Sequence, residues 1–152
     1  TFGPDLTTTR GMIVTILYSL EGTPAVSTAS GFTDVAPGAY YANAVTWAAG
    51  NGIVAGYGGG LFGPDDIITR EQLAMILYRY AQYKGYDVAA RAELSGYDDA
   101  SQVAAYAVEA MRWAIAEGLI SGTSATALSP SGNATRAQAA VILTQFCQHI
   151  VE

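Results

Sequence analysis

Apolar residues recur along the chain with helical spacing in three places, and always in one register. They stand at Ile13, Ile16, Leu17 and Leu20, at Leu73, Ile76, Leu77 and Tyr80, and at Ala139, Ile142, Leu143 and Phe146. An i, i+3, i+4, i+7 stripe marks an amphipathic helix with one buried face. Each stripe opens on the same dipeptide: Thr9-Arg10, Thr69-Arg70 and Thr135-Arg136. Each dipeptide in turn follows a Pro turn at a fixed distance: Phe2-Gly3-Pro4-Asp5, Phe62-Gly63-Pro64-Asp65 and the weaker Leu128-Ser129-Pro130-Ser131. Three equivalent helices are predicted.

A second kind of unit occurs twice. Phe32-Thr33-Asp34-Val35 matches Tyr97-Asp98-Asp99-Ala100, and the run from Trp47 to Gly56 matches that from Trp113 to Gly122. Both predict a helix, from about Tyr40 to Asn51 and from about Tyr106 to Glu117, stopped by Gly52 or Gly118 in the left-handed conformation. One full repeat therefore reads helix, Gly-rich loop, Pro turn, Thr-Arg, helix. Residues 1–30 hold the second half of repeat one, residues 31–90 repeat two and residues 96–152 repeat three, together one domain. Segments 21–30 and about 85–95 read as connectors. No strand of convincing length appears, and residues 54–57 and 119–122 make at most short extended pieces. The prediction is an all-α fold of five main helices in which repeat one lacks its front helix. The apolar stripe of that repeat then expects a partner from upstream sequence or from a second copy of the chain.

Thr69 with Gln72, and Thr135 with Gln138, have capping-box spacing, in which each partner satisfies an amide of the other. At the first copy the third position is Met12, so the reciprocal half is expected to be lost and the helix start to be looser. The arginines are the less ordinary residues, because a cation in the first turn meets the positive end of the helix dipole. Two readings stay open. Each Arg pairs with a carboxylate such as Asp5, Asp34, Asp65, Asp66 or Asp99, or it faces an anionic ligand that also uses the helix amides. Trp47 and Trp113 are similarly double: core residues, or rings on which a sugar stacks, beside a loop, Gly56 to Gly60, that lets a ligand come close to the backbone.

Charge and composition narrow the partners. Seven Lys and Arg in a chain of net charge −6 do not make a phosphate-binding surface, so a nucleic acid is excluded. No apolar run reaches the roughly 20 residues that span a bilayer, and no signal pattern stands at the N-terminus, so any signal peptide belongs upstream. Cys147 is the sole cysteine and His149 the sole histidine, which leaves no disulfide and no Cys/His metal site. Cys147 reads as a small buried hydrophobe. Asp65-Asp66 and Asp98-Asp99 are adjacent pairs whose side chains diverge, and no activated nucleophile is present. The chain reads as non-enzymatic and without a cofactor. Gly58 to Gly63 spells G-x-G-x-x-G without the strand a dinucleotide site requires, and Asn133-Ala134-Thr135 has the form of a glycosylation sequon whose Thr is already a helix cap.

Gly-Phe-Thr-Asp-Val at 31–35, a Trp-bearing helix, Asn-Gly-Ile-Val-Ala-Gly-Tyr at 51–57, Phe-Gly-Pro-Asp and Ile-Thr-Arg-Glu-Gln-Leu-Ala at 68–74 together resemble a repeat of the S-layer homology family. The resemblance covers nearly the whole chain. It implies a pseudo-threefold assembly of helical repeats, extracellular at the bacterial cell wall or S-layer. It further implies grooves that hold a secondary cell-wall polysaccharide attached to peptidoglycan, often ended by a pyruvylated amino sugar. Carried over to this sequence, the anion-reading role falls on Arg10, Arg70 and Arg136, with Asp34, Asp99, Trp47, Trp113, Gly56 and Gly122 as groove neighbours. The family's usual Thr-Arg-Ala-Glu stands here as Thr-Arg-Gly-Met, Thr-Arg-Glu-Gln and Thr-Arg-Ala-Gln. The alternative is a helical module that packs on another protein without a glycan site of its own.

Overall fold

The structure, a computed structural model, describes residues 8–26, 31–56, 59–120, 127–128, 130 and 132–148. Five α-helices appear among them: α1 (Arg10–Leu20), α2 (Ala42–Gly50), α3 (Arg70–Lys84), α4 (Val108–Ala116) and α5 (Arg136–Phe146), with short 3-10 turns at Ala100–Gln102 and Ala105–Ala107. The fold is all-α. Among the described residues the extended contacts are two isolated antiparallel bridges, Thr9 to Ile67 and Thr69 to Asn133. They join the residues before Arg10 and Arg70 to the end of the next Pro turn; of the 54–57 and 119–122 pieces expected from sequence, residues 57, 121 and 122 lie outside the described residues.

The front helices start about two residues later than their apolar pattern, because neither Tyr41 nor Ala107 caps with its side chain. Their ends follow the prediction closely. Gly52 and Gly118 both adopt φ of +74°. The Ile53 amide reaches back to the Ala48 carbonyl and the Leu119 amide to the Ala114 carbonyl, at 2.9 and 2.8 Å. These are Schellman caps in which the apolar residue after Gly is buried, as Ile53 and Leu119 are.

All three Thr-Arg helices carry a complete capping box, which corrects the expectation for Met12. Its sulfur accepts the Thr9 amide at 3.3 Å while the Thr9 hydroxyl accepts the Met12 amide at 3.2 Å. A thioether is a weak acceptor, yet its reach and flexibility put it where the Gln72 and Gln138 amide oxygens sit in the other copies.

The chain divides into two compact units, Thr8–Ile67 and Ile68–Glu152 with Thr1–Thr7. In the first, α1 packs on α2, burying Ile13, Val14 and Leu17 with Ala44, Val45 and Ala48. In the second, α3 packs on α4 around Leu73, Leu77, Met111, Trp113 and Phe146. Each such large side chain taken fully from water contributes about 1.5–3 kcal/mol. The packing pair is thus a Thr-Arg helix with the Trp-bearing helix of the following repeat, one half-repeat out of step with the sequence unit. That offset corrects the expectation of an unpartnered stripe on α1: Ile13 and Leu17 are covered by α2, while Ile16 and Leu20 stay 40% and 49% exposed. The residue equivalent to Leu17 and Leu77 that is only half-buried lies on α5, at Leu143. Cys147, expected in the core, is also half-buried, just past the end of α5.

Candidate functional site

Among the described residues, α1 and α3 each begin against the Pro turn of the next repeat. In the first unit the Arg10 and Gly11 amides donate to the carbonyls of Asp66 and Pro64, both at 2.9 Å; in the second, Arg70 and Glu71 donate likewise to Gly132 and Pro130, both at 2.9 Å. With the third amide taken by the Thr hydroxyl, the orphan donors of these two helix starts are satisfied by protein. An anion seated on the amides of α1 or α3, one of the two readings above, finds its donors already committed.

The guanidinium groups extend the same contact. Arg10 donates through Nε to the Phe62 carbonyl and through an Nη to the Ala55 carbonyl, both at 3.1 Å, and lies 4.6 Å over the Phe62 ring. Arg70 donates through Nε to the Leu128 carbonyl at 2.9 Å. Both arginines are only 6% exposed. These carbonyls, with an acidic neighbour, offset the unfavourable place of a cation in a first helical turn.

The acidic neighbours are those of the repeat openings. Asp34 accepts the amides of Phe62 and Gly63 at 2.9 and 2.8 Å, and Asp99 accepts the amide of Leu128 at 2.8 Å. Asp and Arg therefore grip the same residue of the turn from its two sides, one at N–H and one at C=O. Desolvation pushes the Asp34 carboxyl up, but the amides of Phe62 and Gly63 and the field of Arg10 outweigh it and hold the group below its ordinary value. Burial lowers the Arg70 pKa, opposed by the charge of Asp99. Of the carboxylates named from sequence, Asp34 lies in the field of Arg10 and Asp99 in that of Arg70, while Asp5 lies outside the described residues.

The remaining candidates fall in different places. Gly56 is held tight, because a Cβ there would stand 2.5 Å from the Phe32 ring and 2.6 Å from the Leu61 carbonyl. It serves close packing of the loop that feeds Ala55 to Arg10. Trp47 is buried against Tyr18 at 5.7 Å between ring centroids, and Trp113 is fully buried against Tyr78 and Phe146, so both rings lie in the interior. The Trp113 Nε1 has no hydrogen-bond partner. Arg136 is half-buried, and its Nε, the atom that holds the turn in the other two copies, is buried without a partner. Gly122, His149, Gly58 and the Phe2 to Asp5 turn lie outside the described residues. Among the described residues no group of His, Cys, Asp and Glu has metal-site geometry, and no helix is long and apolar enough to cross a membrane.

Sequence reasoning missed two participants. The acceptors of the arginines are backbone carbonyls, which carry no residue signature. The second is a size exchange: Gly11, at 2.9 Å from the Pro64 carbonyl and 3.1 Å from the Tyr41 ring if given a Cβ, leaves room for Tyr41, whereas the equivalent positions are Glu71 and Ala107. The difference between the two copies at Gly11 and Glu71 is thus matched by a difference at Tyr41 and Ala107.

The family model described as "S-layer homology domain" matches residues 31–74 and 96–140, more than half of the chain. The chain is 31% identical over 146 residues to an amylopullulanase of Thermoanaerobacterium thermosulfurigenes, covering 93% of this chain and 8% of that protein. It is 31% identical over 144 residues to an endoglucanase of Bacillus sp. (strain KSM-635), covering 95% and 15%. To the surface-layer 125 kDa protein of Lysinibacillus sphaericus it is 30% identical over 152 residues, covering 98% and 12%. It therefore spans between 8% and 15% of the length of these relatives. An undecaheme cytochrome from the S-layer of Carboxydothermus ferrireducens superposes at a TM-score of 0.47 with 20% identity, over 88% of this chain and 20% of that one. Matched by that family model over residues 31–74 and 96–140 and at least 30% identical to these relatives, this chain belongs to the S-layer homology domain family of non-catalytic anchoring modules found at the cell surface.

Proposed function

We propose that this module holds its parent protein to the bacterial cell wall by binding, without a covalent bond, a secondary cell-wall polysaccharide attached to peptidoglycan. One observation carries the reading: proteins named for different activities, two glycan hydrolases and a surface-layer protein, share with this chain a segment that makes up only 8–15% of each. What they hold in common is then a place of residence, not a reaction.

The chemistry of the site suits an anionic sugar terminus such as a pyruvate ketal. A guanidinium fixed by its Nε edge presents its remaining N–H groups in a set plane, which favours a carboxylate with two acceptor oxygens. In this reading Arg10, Arg70 and Arg136 fill that role, with Asp34 and Asp99 holding the turns beside Arg10 and Arg70 and with Gly56 and Gly122 as groove neighbours. Trp47 and Trp113 support the helices beneath. The net charge of −6 is no obstacle, since recognition depends on the local field. The test is competition for wall binding by soluble wall-polymer fragments, intact or with the ketal removed by mild acid. Inhibition by the intact fragments alone supports an anionic terminus; equal inhibition by both sinks it.

A second reading is favoured by the burial of Arg10 and Arg70 on backbone carbonyls: the arginines are structural clamps, and the module packs on protein without a glycan site. Wall binding that survives removal of all accessory polysaccharide would select it.

A further inference from the structure

The segment that follows α3 forms no helix or strand, yet it is laid down in order. Val88, Ala90, Ala92 and Leu94 are half-buried while Asp87, Ala89 and Glu93 are exposed, the alternation of an extended chain lying on a surface. That surface is α4. The Ala92 amide donates to the Arg112 carbonyl and the Arg112 Nε returns to the Ala92 carbonyl, both at 3.0 Å. One residue earlier, Arg91 gathers both helices: its Nε donates to Glu109 of α4 at 3.0 Å, one Nη to the Tyr78 hydroxyl of α3 at 2.7 Å, and the other to the Ala90 carbonyl at 2.8 Å. Its guanidinium lies 5.3 Å from the centre of the Tyr78 ring, and that ring packs on fully buried Trp113 at 5.4 Å. We infer that residues 86–94 are a strap closed over Tyr78 and α4, with Arg91 as an ionic latch that salt or acid opens.

The first unit supplies the contrast. Tyr18, at the position of Tyr78, also packs on its tryptophan, but its hydroxyl donates to the Pro24 carbonyl and residues 22–26 carry no charge. One connector is fastened by a neutral bond and the other by a guanidinium. Among the described residues, Arg91 of the strap and Arg112 of α4 face Glu109, Tyr78 of α3 faces Arg91, and Glu93 of the strap faces Arg112. The bond from Arg91, with the charges of both arginines, outweighs the desolvation that would raise the Glu109 carboxyl and holds it below its ordinary value. The latch is therefore complete above the unfolded value of that carboxyl and is lost as pH falls through the folded one. With Glu109 57% exposed, the pair is also screened by salt, so the latch opens without unfolding the helices beneath it. The strap works independently of what the module binds.

Amide hydrogen exchange, corrected for the intrinsic rate of each amide, tests this at Ala92. Two amides serve as references: Leu119, held by the Ala114 carbonyl at 2.8 Å, reports on the unit beneath, and Thr23, held by the Tyr18 carbonyl at 3.0 Å, on the uncharged connector. Raising salt to about 1 M should lower protection at Ala92 by about two- to fivefold, the scale of an exposed ion pair, and leave both references as they were. Glu109→Gln should lower it by the same factor at low salt and abolish the further response to salt and to pH in the carboxylate range. An unprotected Ala92 in the parent, protection there that salt does not move, or a fall shared equally by Leu119 overturns the proposal. The salt response of the parent decides even if Glu109→Gln folds poorly.

Discussion

Arg70 donates its Nε to the carbonyl of Leu128 at 2.9 Å, across 58 residues of sequence, and Asp99 takes the amide of that same Leu128. The identical grip joins Arg10 and Asp34 to Phe62. A motif that looks like a surface charge at the head of a helix is therefore also the means by which one repeat grasps the next.

Removing the guanidinium should cost stability first. Arg10→Ala and Arg70→Ala each leave a buried carbonyl, that of Phe62 or Leu128, without its guanidinium donor, which typically costs about 1–3 kcal/mol, and the loss should appear as a lower denaturation midpoint by circular dichroism. With its capping box complete through Met12, Arg10 is expected to matter as much as Arg70. Arg→Lys should recover only part of the loss, because a point charge cannot reach two carbonyls in one plane.

Gly11→Ala should destabilise although Ala is the better helix former, since its Cβ would stand 2.9 Å from the Pro64 carbonyl. Backbone cannot swing aside as a side chain does, and overpacking of this kind costs about 1–3 kcal/mol. A Gly11→Ala protein as stable as the parent would show that the fit is not tight.

The Asp34 carboxyl is held below its ordinary value of 3.8, so its folded pKa lies under its unfolded one. Its contribution is complete above the unfolded value and is lost as pH falls through the folded one. Asp34→Asn should remove that part of the pH dependence and lower the midpoint at pH 7, because an amide has one acceptor oxygen for the Phe62 and Gly63 amides. Equal midpoint-against-pH curves for parent and variant below pH 4 would contradict this.

Much of the fold was legible because period and punctuation agree: apolar registers fixed five helices, and Gly52 and Gly118 fixed where two of them stop. What could not be read was which helix each would meet. Half-repeats are interchangeable by pattern, so Ile13 and Leu17 appeared to await a missing helix when α2 covers them. The site was legible in part. Arg10, Arg70, Asp34 and Asp99 come together, but the acceptors between them are carbonyls that any residue carries. Trp47 and Trp113 were ambiguous for a physical reason, since an indole serves a core and a sugar face with the same apolar surface, and burial is decided by the partner helix.

Because pairing runs from each Thr-Arg helix to the next Trp-bearing helix, α5 is the helix on which a further front helix fits, against half-buried Leu143 and exposed Val141. Grafting a copy of residues 31–61 ahead of Phe2 should slow alkylation of Cys147 and raise the denaturation midpoint. Unchanged alkylation and midpoint would leave α5 without such a partner.

The anchoring itself is tested most directly by co-sedimentation of the chain with wall sacculi before and after the accessory polysaccharide is stripped from peptidoglycan. The account predicts that the chain pellets with intact sacculi and stays in solution with stripped ones. Equal pelleting with both, or with neither, would contradict it.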